Sequence, residues 1–136
     1  MTAAIISSYR PFFRTSLAKL EVIREGIRPQ AMADFMSIAG ITQAALARIL
    51  SVSEPTLRKY NRNGSRPGSR LSDHLLQLFE LYDKGIDTFG SLRVFRNWVS
   101  CRQLVLGARP IDLLDTCTGV GLIRNELLRI DHGALA

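Results

Sequence analysis

Thr42 and Ser53 each stand at the head of a short run of helix-spaced apolar residues. This doublet restricts the fold of the segment TQAALARILSVSEPTLRKY, residues 42–60, more than any other feature of the chain. Hydroxyl side chains accept the orphan N–H groups of a first helical turn, so both positions predict an N-cap. Gln43, Leu46, Ala47 and Leu50 fall at helical spacing on a first helix. Ser51 and Val52 leave room only for a tight turn. The second helix has Pro55 in its first turn, where a missing N–H costs little. It directs Leu57 and Tyr60 inward and Arg58, Lys59 and Arg62 outward. Leu46, Leu50, Val52 and Leu57 pack the pair, and the small Ala47 permits close approach. This is the pattern of a helix-turn-helix. An ordinary helical hairpin has the same apolar spacing but needs neither the second cap nor a basic outer face.

A helix of this kind fits the DNA major groove, where each base pair presents its own pattern of donors and acceptors. Ser53 and Thr56 lie near the helix start, within reach of phosphate or base edges. Arginine bonds guanine bidentately, whereas lysine acts more as a point charge on phosphate. The DNA-contacting set is therefore Ser53, Thr56, Arg58, Lys59, Arg62 and Arg66, with the base-reading member left open by the sequence. The charge distribution points the same way. Residues 1–70 hold 11 Lys/Arg against 4 Asp/Glu, a net +7, and residues 71–136 hold 7 against 8, a net −1. Arg58, Lys59, Arg62, Arg66 and Arg70 form a run without an acid. Such a run is either a solvated loop or a phosphate contact, and its place after the second helix favours contact.

The chain of 136 residues is 46% hydrophobic, enough for one domain or two small ones with a buried core. Cys101 and Cys117 have no CxxC pairing. The start MTAAIISSYRPFF lacks the charged segment of a secretory leader, and no run approaches the ~18 apolar residues of a membrane span. The expectation is a cytoplasmic protein with reduced thiols and no membrane contact.

Residues 1–14 show no clear period and read as an irregular arm. Leu17, Leu20 and Ile23 predict a helix over 16–26 that stops at Gly26. Pro29 suits the start of the next, with Met32, Phe35 and Met36 inward before Gly40. Asn63 to Ser69 is a breaker cluster. Ser72 then reads as the cap of a helix carrying Leu75, Leu76, Phe79 and Tyr82 and stopping at Gly85. Phe89, Leu92, Phe95 and Trp98 predict a sixth helix, with the aromatics in the core. Pro110 starts a short turn through Leu114. The last helix runs from about Thr118 to Ile130. Its seam of Val120, Ile123, Leu127 and Ile130 suits burial in the core, or equally a partner or second copy. Only Val105-Leu106 hints at a strand. The predicted fold class is all-α, with about seven helices: a helix-turn-helix domain followed by a small helical domain.

Enzymatic signals are weak, and no cofactor or metal is expected. His74 and His132 share no metal-ligand spacing, and His74 reads as a partly exposed helix residue. Gly119-Val120-Gly121 resembles part of a phosphate loop but lacks the strand before it and the lysine after it, so small residues at a packed helix start explain it better. Asp112 and Asp115 are explained by a local cap and a solvated face.

From Arg24 onward the chain resembles the Xre/MbcA/ParS family of antitoxins. The matching blocks are Arg24-Glu25-Gly26-Ile27, Thr56-Leu57-Arg58, Leu71-Ser72, Phe89-Gly90 and Trp98-Val99. They continue with Leu106-Gly107, Arg109-Pro110, Leu113-Leu114-Asp115-Thr116 and Gly119, then Leu127, Arg129-Ile130 and Gly133. Arg102-Gln103 stands where the family often has Pro-Asn, and Ala108 where it often has a second glycine. The resemblance implies an N-terminal arm (1–23), a DNA-binding domain (24–70) and a toxin-binding domain (71–136). It implies a repressor of its own operon at operator DNA that also binds a RES-domain toxin that degrades NAD⁺; the helix-turn-helix, a motif that commonly reads paired half-sites one helical turn apart, predicts a homodimer. The toxin-binding residues it implies are Arg109, Arg129, Asp131, His132 and Gly133, with Arg129 to Ala136 near the toxin's cleft as a basic tail. The arm then serves oligomerisation or DNA contact. The rival readings are a stand-alone helix-turn-helix regulator with a C-terminal dimerisation or ligand-sensing domain, and a protein-binding adaptor.

Overall fold

The computed structural model describes the backbone of residues 2–135 and the side chains of residues 4–133. Among the described residues the chain forms α1 (Thr2–Ser7), α2 (Arg10–Phe13), α3 (Ser16–Glu25), α4 (Ala31–Ala39), α5 (Gln43–Leu50), α6 (Glu54–Asn63), α7 (Ser69–Phe89), α8 (Leu92–Ser100), a 3₁₀ turn (Pro110–Leu113) and α9 (Cys117–Leu135). The all-α expectation holds. The axis of the fold is α7, whose 21 residues bury Leu71, Leu75, Leu78, Phe79 and Tyr82. Helices α3, α4, α5, α8 and α9 all pack against it. One continuous core runs from Ile6 to Leu127.

Aromatic rings link the two ends of that core. Tyr9, between α1 and α2, stacks on Phe79 of α7. Phe35 of α4 stands edge-on to both Phe79 and Tyr82, and Tyr82 is edge-on to Phe95 of α8. Phe95 in turn stacks near Trp98. Offset and edge-on pairs of this kind add about 0.5–1.5 kcal/mol each beyond the area they bury.

Several local expectations are corrected. The expected irregular arm, apart from Met1, which lies outside the described residues, is helical: α1 and α2 bury Ile6, Tyr9 and Phe13. Ser72 is not a cap but lies inside α7. There its buried hydroxyl donates to Pro67 O and accepts from Ile27 N–H. Gly85 does not end the helix. A Cβ there would sit 2.4 Å from the Phe95 ring, so the glycine lets α8 pack close to α7. Phe89 ends α7 rather than opening the sixth helix. Gly90 takes a left-handed conformation after it, and the Ser91 side chain caps α8. His74 is buried, its Nε2 2.8 Å from Leu114 O, and so ties α7 to the segment before α9. Val105-Leu106 forms a turn closed by a single bridge between Gln103 and Ala108. The last helix continues past Ile130 to Leu135.

Three of the four seam residues of α9 belong to the core, and Ile130 is half-buried outside it. Val120, Ile123 and Leu127 are buried and α9 packs along α7. Each such side chain contributes about 1.5–3 kcal/mol when fully buried. Gly119 is there for packing, because a Cβ would collide with the backbone carbonyl of Leu113.

Candidate functional site

The helix-turn-helix is built from local bonds. Thr42 accepts from Ala45 N–H and Ser53 from Thr56 N–H, capping α5 and α6. Between them Ser51 takes a left-handed conformation (φ 56°), unusual for a residue with a side chain. It is held there because its N–H bonds Arg48 O and the next N–H, of Val52, returns to Ala47 O. Gln43 donates from Nε2 to Glu54 O at 3.4 Å and spans the start of both helices. Leu46, Ala47, Leu50 and Leu57 are buried where the two helices meet α4 and α7.

The outward face of α6 carries Arg58, Lys59 and Arg62, all exposed. Ser53 and Thr56 sit together at its first turn, their hydroxyl oxygens 2.8 Å apart. The exposed first turn presents the positive end of the helix to any anion in front of it. Arg66 is set apart from this group. Its guanidinium donates to Gly26 O at 2.8 Å, which pins the loop after α6 to the segment after α3. With the Ser72 bridge to Ile27 and Pro67, this ties the end of α6 to the start of α7.

The residues implied for toxin binding fall in two places. Arg109 precedes the 3₁₀ turn and forms a two-pronged pair with Asp112 at 2.9 Å, which holds the Asp112 carboxyl below its ordinary range. Arg129, Asp131, His132 and Gly133 lie on the last turns of α9. From Cys117 to Arg129 the helix rises about 18 Å, so the two groups flank opposite ends of α9 and form no single cluster. Arg129 pairs with the nearly buried Glu126 at 2.5 Å. That bond lowers the Glu126 carboxyl. Asp131 reaches across to Lys84 of α7, with Thr88 donating to it at 3.3 Å. Lys84 holds the Asp131 carboxyl below its ordinary value and is itself raised. The segment is therefore a helix end braced against α7, where a basic tail was expected. His132 and Gly133 are exposed; Ala136 and the side chains of residues 134 and 135 lie outside the described residues.

Neither brace is among the sequence expectations. The Glu126–Arg129 pair has a local signal, its i,i+3 helical spacing. Lys84, 47 residues from Asp131, offered no local signal. Among the described residues no group of three or more His, Cys, Asp or Glu side chains is placed to hold a metal ion. No described helix is long and apolar enough to cross a membrane.

Residues 84–133, from the Lys84 brace through α8 to the end of α9, match the family described as the antitoxin Xre/MbcA/ParS C-terminal toxin-binding domain. The chain is also similar to the Prs ADP-ribosylating antitoxin of Sphingobium sp. (strain YBL2). The two are 24% identical over 140 aligned residues, covering 95% of this chain and 88% of that protein. The similarity to that antitoxin thus takes in α5 and α6 as well as residues 84–133, the segment that resembles the toxin-binding domain of the Xre/MbcA/ParS antitoxins.

Proposed function

We propose that the chain is a two-ended inhibitor: a type II antitoxin that binds and occludes a RES-type, NAD⁺-degrading toxin and represses its own operon through α6. The observation that carries the first half is the toxin-binding match over residues 84–133. The relative's name associates it with ADP-ribosylation, chemistry that consumes NAD⁺ and so suits the same class of partner. The second half rests on the geometry of α5 and α6, with Arg58, Lys59 and Arg62 together on an exposed helix face. In this division residues 24–70 serve DNA, residues 71–136 serve the toxin and the arm at 1–23 supports the fold. The protein acts as a homodimer, since helix-turn-helix proteins commonly read two half-sites about one helical turn apart.

Occlusion is assigned to the end of α9. Its braces to α7 and Glu126 make that end a stiff plug, and a stiff plug loses little entropy on docking. Arg129 has a structural duty as well as a proposed contact, because Glu126 depends on it. His132 and Gly133 carry no such duty and are the cleaner positions to test. The experiment is co-expression with the reading frame adjacent to the gene, followed by pull-down and a growth assay. The antitoxin reading expects a stable complex and rescued growth. A chain that neither binds nor neutralises the adjacent product overturns it.

A further inference from the structure

The loop between α8 and the 3₁₀ turn holds two apolar side chains out in water. Leu104 is 94% exposed and Val105 70% exposed, although the chain buries most of its other large apolar residues. The loop is braced from within. Gln103 N–H donates to Ala108 O at 3.0 Å, and the N–H groups of Leu106 and Gly107 return to Gln103 O at 3.1 and 2.9 Å. The Gln103 side chain donates to Trp98 O and Cys101 O, both at 3.1 Å. Gly107 supplies the left-handed residue (φ 66°) that closes the turn. Leu106 packs back against the core, so it anchors the knuckle while its two neighbours stand clear.

We propose that Leu104 and Val105 form an apolar knuckle that seats in a recess on the toxin, an inference that rests on the antitoxin reading. The occupant follows from position and charge. The knuckle lies inside the segment that matches the toxin-binding domain. Arg102 beside it is exposed and enters no salt bridge among the described residues, whereas Arg109 on the other flank is neutralised by Asp112. The recess that fits is apolar, with an acidic group at its rim facing Arg102. A self-braced loop brings its side chains to the partner already ordered, so little of the gain from burial is lost to ordering. The knuckle is a contact separate from the plug at the end of α9. It contributes affinity without entering the toxin's cleft.

The test compares the wild-type full chain with the double variant Leu104→Ser, Val105→Ser, and with Leu104→Ala alone. The partner is the purified product of the adjacent reading frame. Calorimetric titration should show about 30-fold or greater weakening for the double variant and about tenfold for the single one, the scale of losing one or two buried apolar side chains. Melting temperature and DNA affinity should not move, because both side chains are exposed. Wild-type binding with unchanged affinity in both variants overturns the knuckle alone. A wild-type chain that binds no toxin overturns the antitoxin reading and the knuckle with it. Loss of self-association in light scattering, with toxin affinity intact, would assign the knuckle to a second copy and overturn the proposal.

Discussion

The ring of Tyr9 stacks on that of Phe79, centroids 4.0 Å apart and planes within 11°, and so seats the N-terminal segment on the central helix. The Tyr9 hydroxyl donates to Asp34 at 2.5 Å and accepts from Arg28 at 3.2 Å, and the Arg28 guanidinium lies 4.4 Å from the ring centre. Burial and the neighbouring Asp34 carboxylate both push the phenol's pKa up. Tyr9→Ala removes the stack, the bond and the filled volume. It should destabilise the fold by about 3–5 kcal/mol, the range for truncating a large buried aromatic. Chemical denaturation measures this. A loss under about 1 kcal/mol would contradict the seating of α1 and α2 on the central helix.

Gly85 sets two effects against each other. Alanine is favoured over glycine inside a helix by about 1 kcal/mol. A Cβ at this position would sit 2.4 Å from the Phe95 ring. That ring is held by Tyr82, Phe89 and Trp98, so it has little room to move. Overpacking typically costs about 1–3 kcal/mol, so the steric effect wins. Gly85→Ala should lower stability, with α8 displaced. A higher melting temperature would contradict the close packing of α7 and α8.

Asp131, Glu126 and Asp112 are all held below the ordinary carboxylate range by their basic partners. A carboxyl with a depressed folded-state pKa stabilises the fold fully above its unfolded value of about 4. It loses that contribution as pH falls through the lower, folded value. Lys84, raised by Asp131, gives the opposite limb: its contribution is present below about 10.4 and is lost as pH rises through the folded value. Asp131→Asn should therefore flatten part of both the acid and the alkaline limb of the stability profile. The middle of the profile should fall only modestly, since both groups are partly exposed. Profiles of mutant and wild type that run parallel below pH 4 would contradict the brace.

Arg58 and Lys59 share the exposed face of α6, and each phosphate contact releases counterions from DNA. The double variant Arg58→Ala, Lys59→Ala should bind operator DNA much more weakly. If both residues meet phosphate, the slope of log affinity against log salt should fall by about 2. Toxin neutralisation should be retained. Gel-shift titrations across a salt series measure the slope, and an unchanged affinity would remove α6 from the DNA interface.

What could be read from the sequence was what local rules decide. The caps at Thr42 and Ser53 bond an N–H three residues on, and the seam of Val120, Ile123 and Leu127 repeats with the helix turn, so both were legible. The burial of Ile6, Tyr9 and Phe13 was not, because α1 and α2 are too short to develop a period and their contacts lie on Phe79 and α4. Ser72 and Gly85 misled for a related reason. Each has a common local use, as cap or helix stop, and the fold uses each for a distant contact instead. At the candidate site the basic face of α6 was visible, but the use of Arg66 to pin a loop was not. The stiffness of the α9 end depends on Lys84, and only the packed structure brings that residue alongside.

Silencing of an NAD⁺-consuming partner by the C-terminal half is checked by titrating the full chain into the purified product of the adjacent reading frame while following NAD⁺ loss. Inhibition by occlusion predicts that consumption falls close to zero near stoichiometric addition. A chain truncated before Arg129 should leave the partner active while still shifting operator DNA. NAD⁺ loss that continues undiminished in a large excess of the intact chain would contradict inhibition by the C-terminal half.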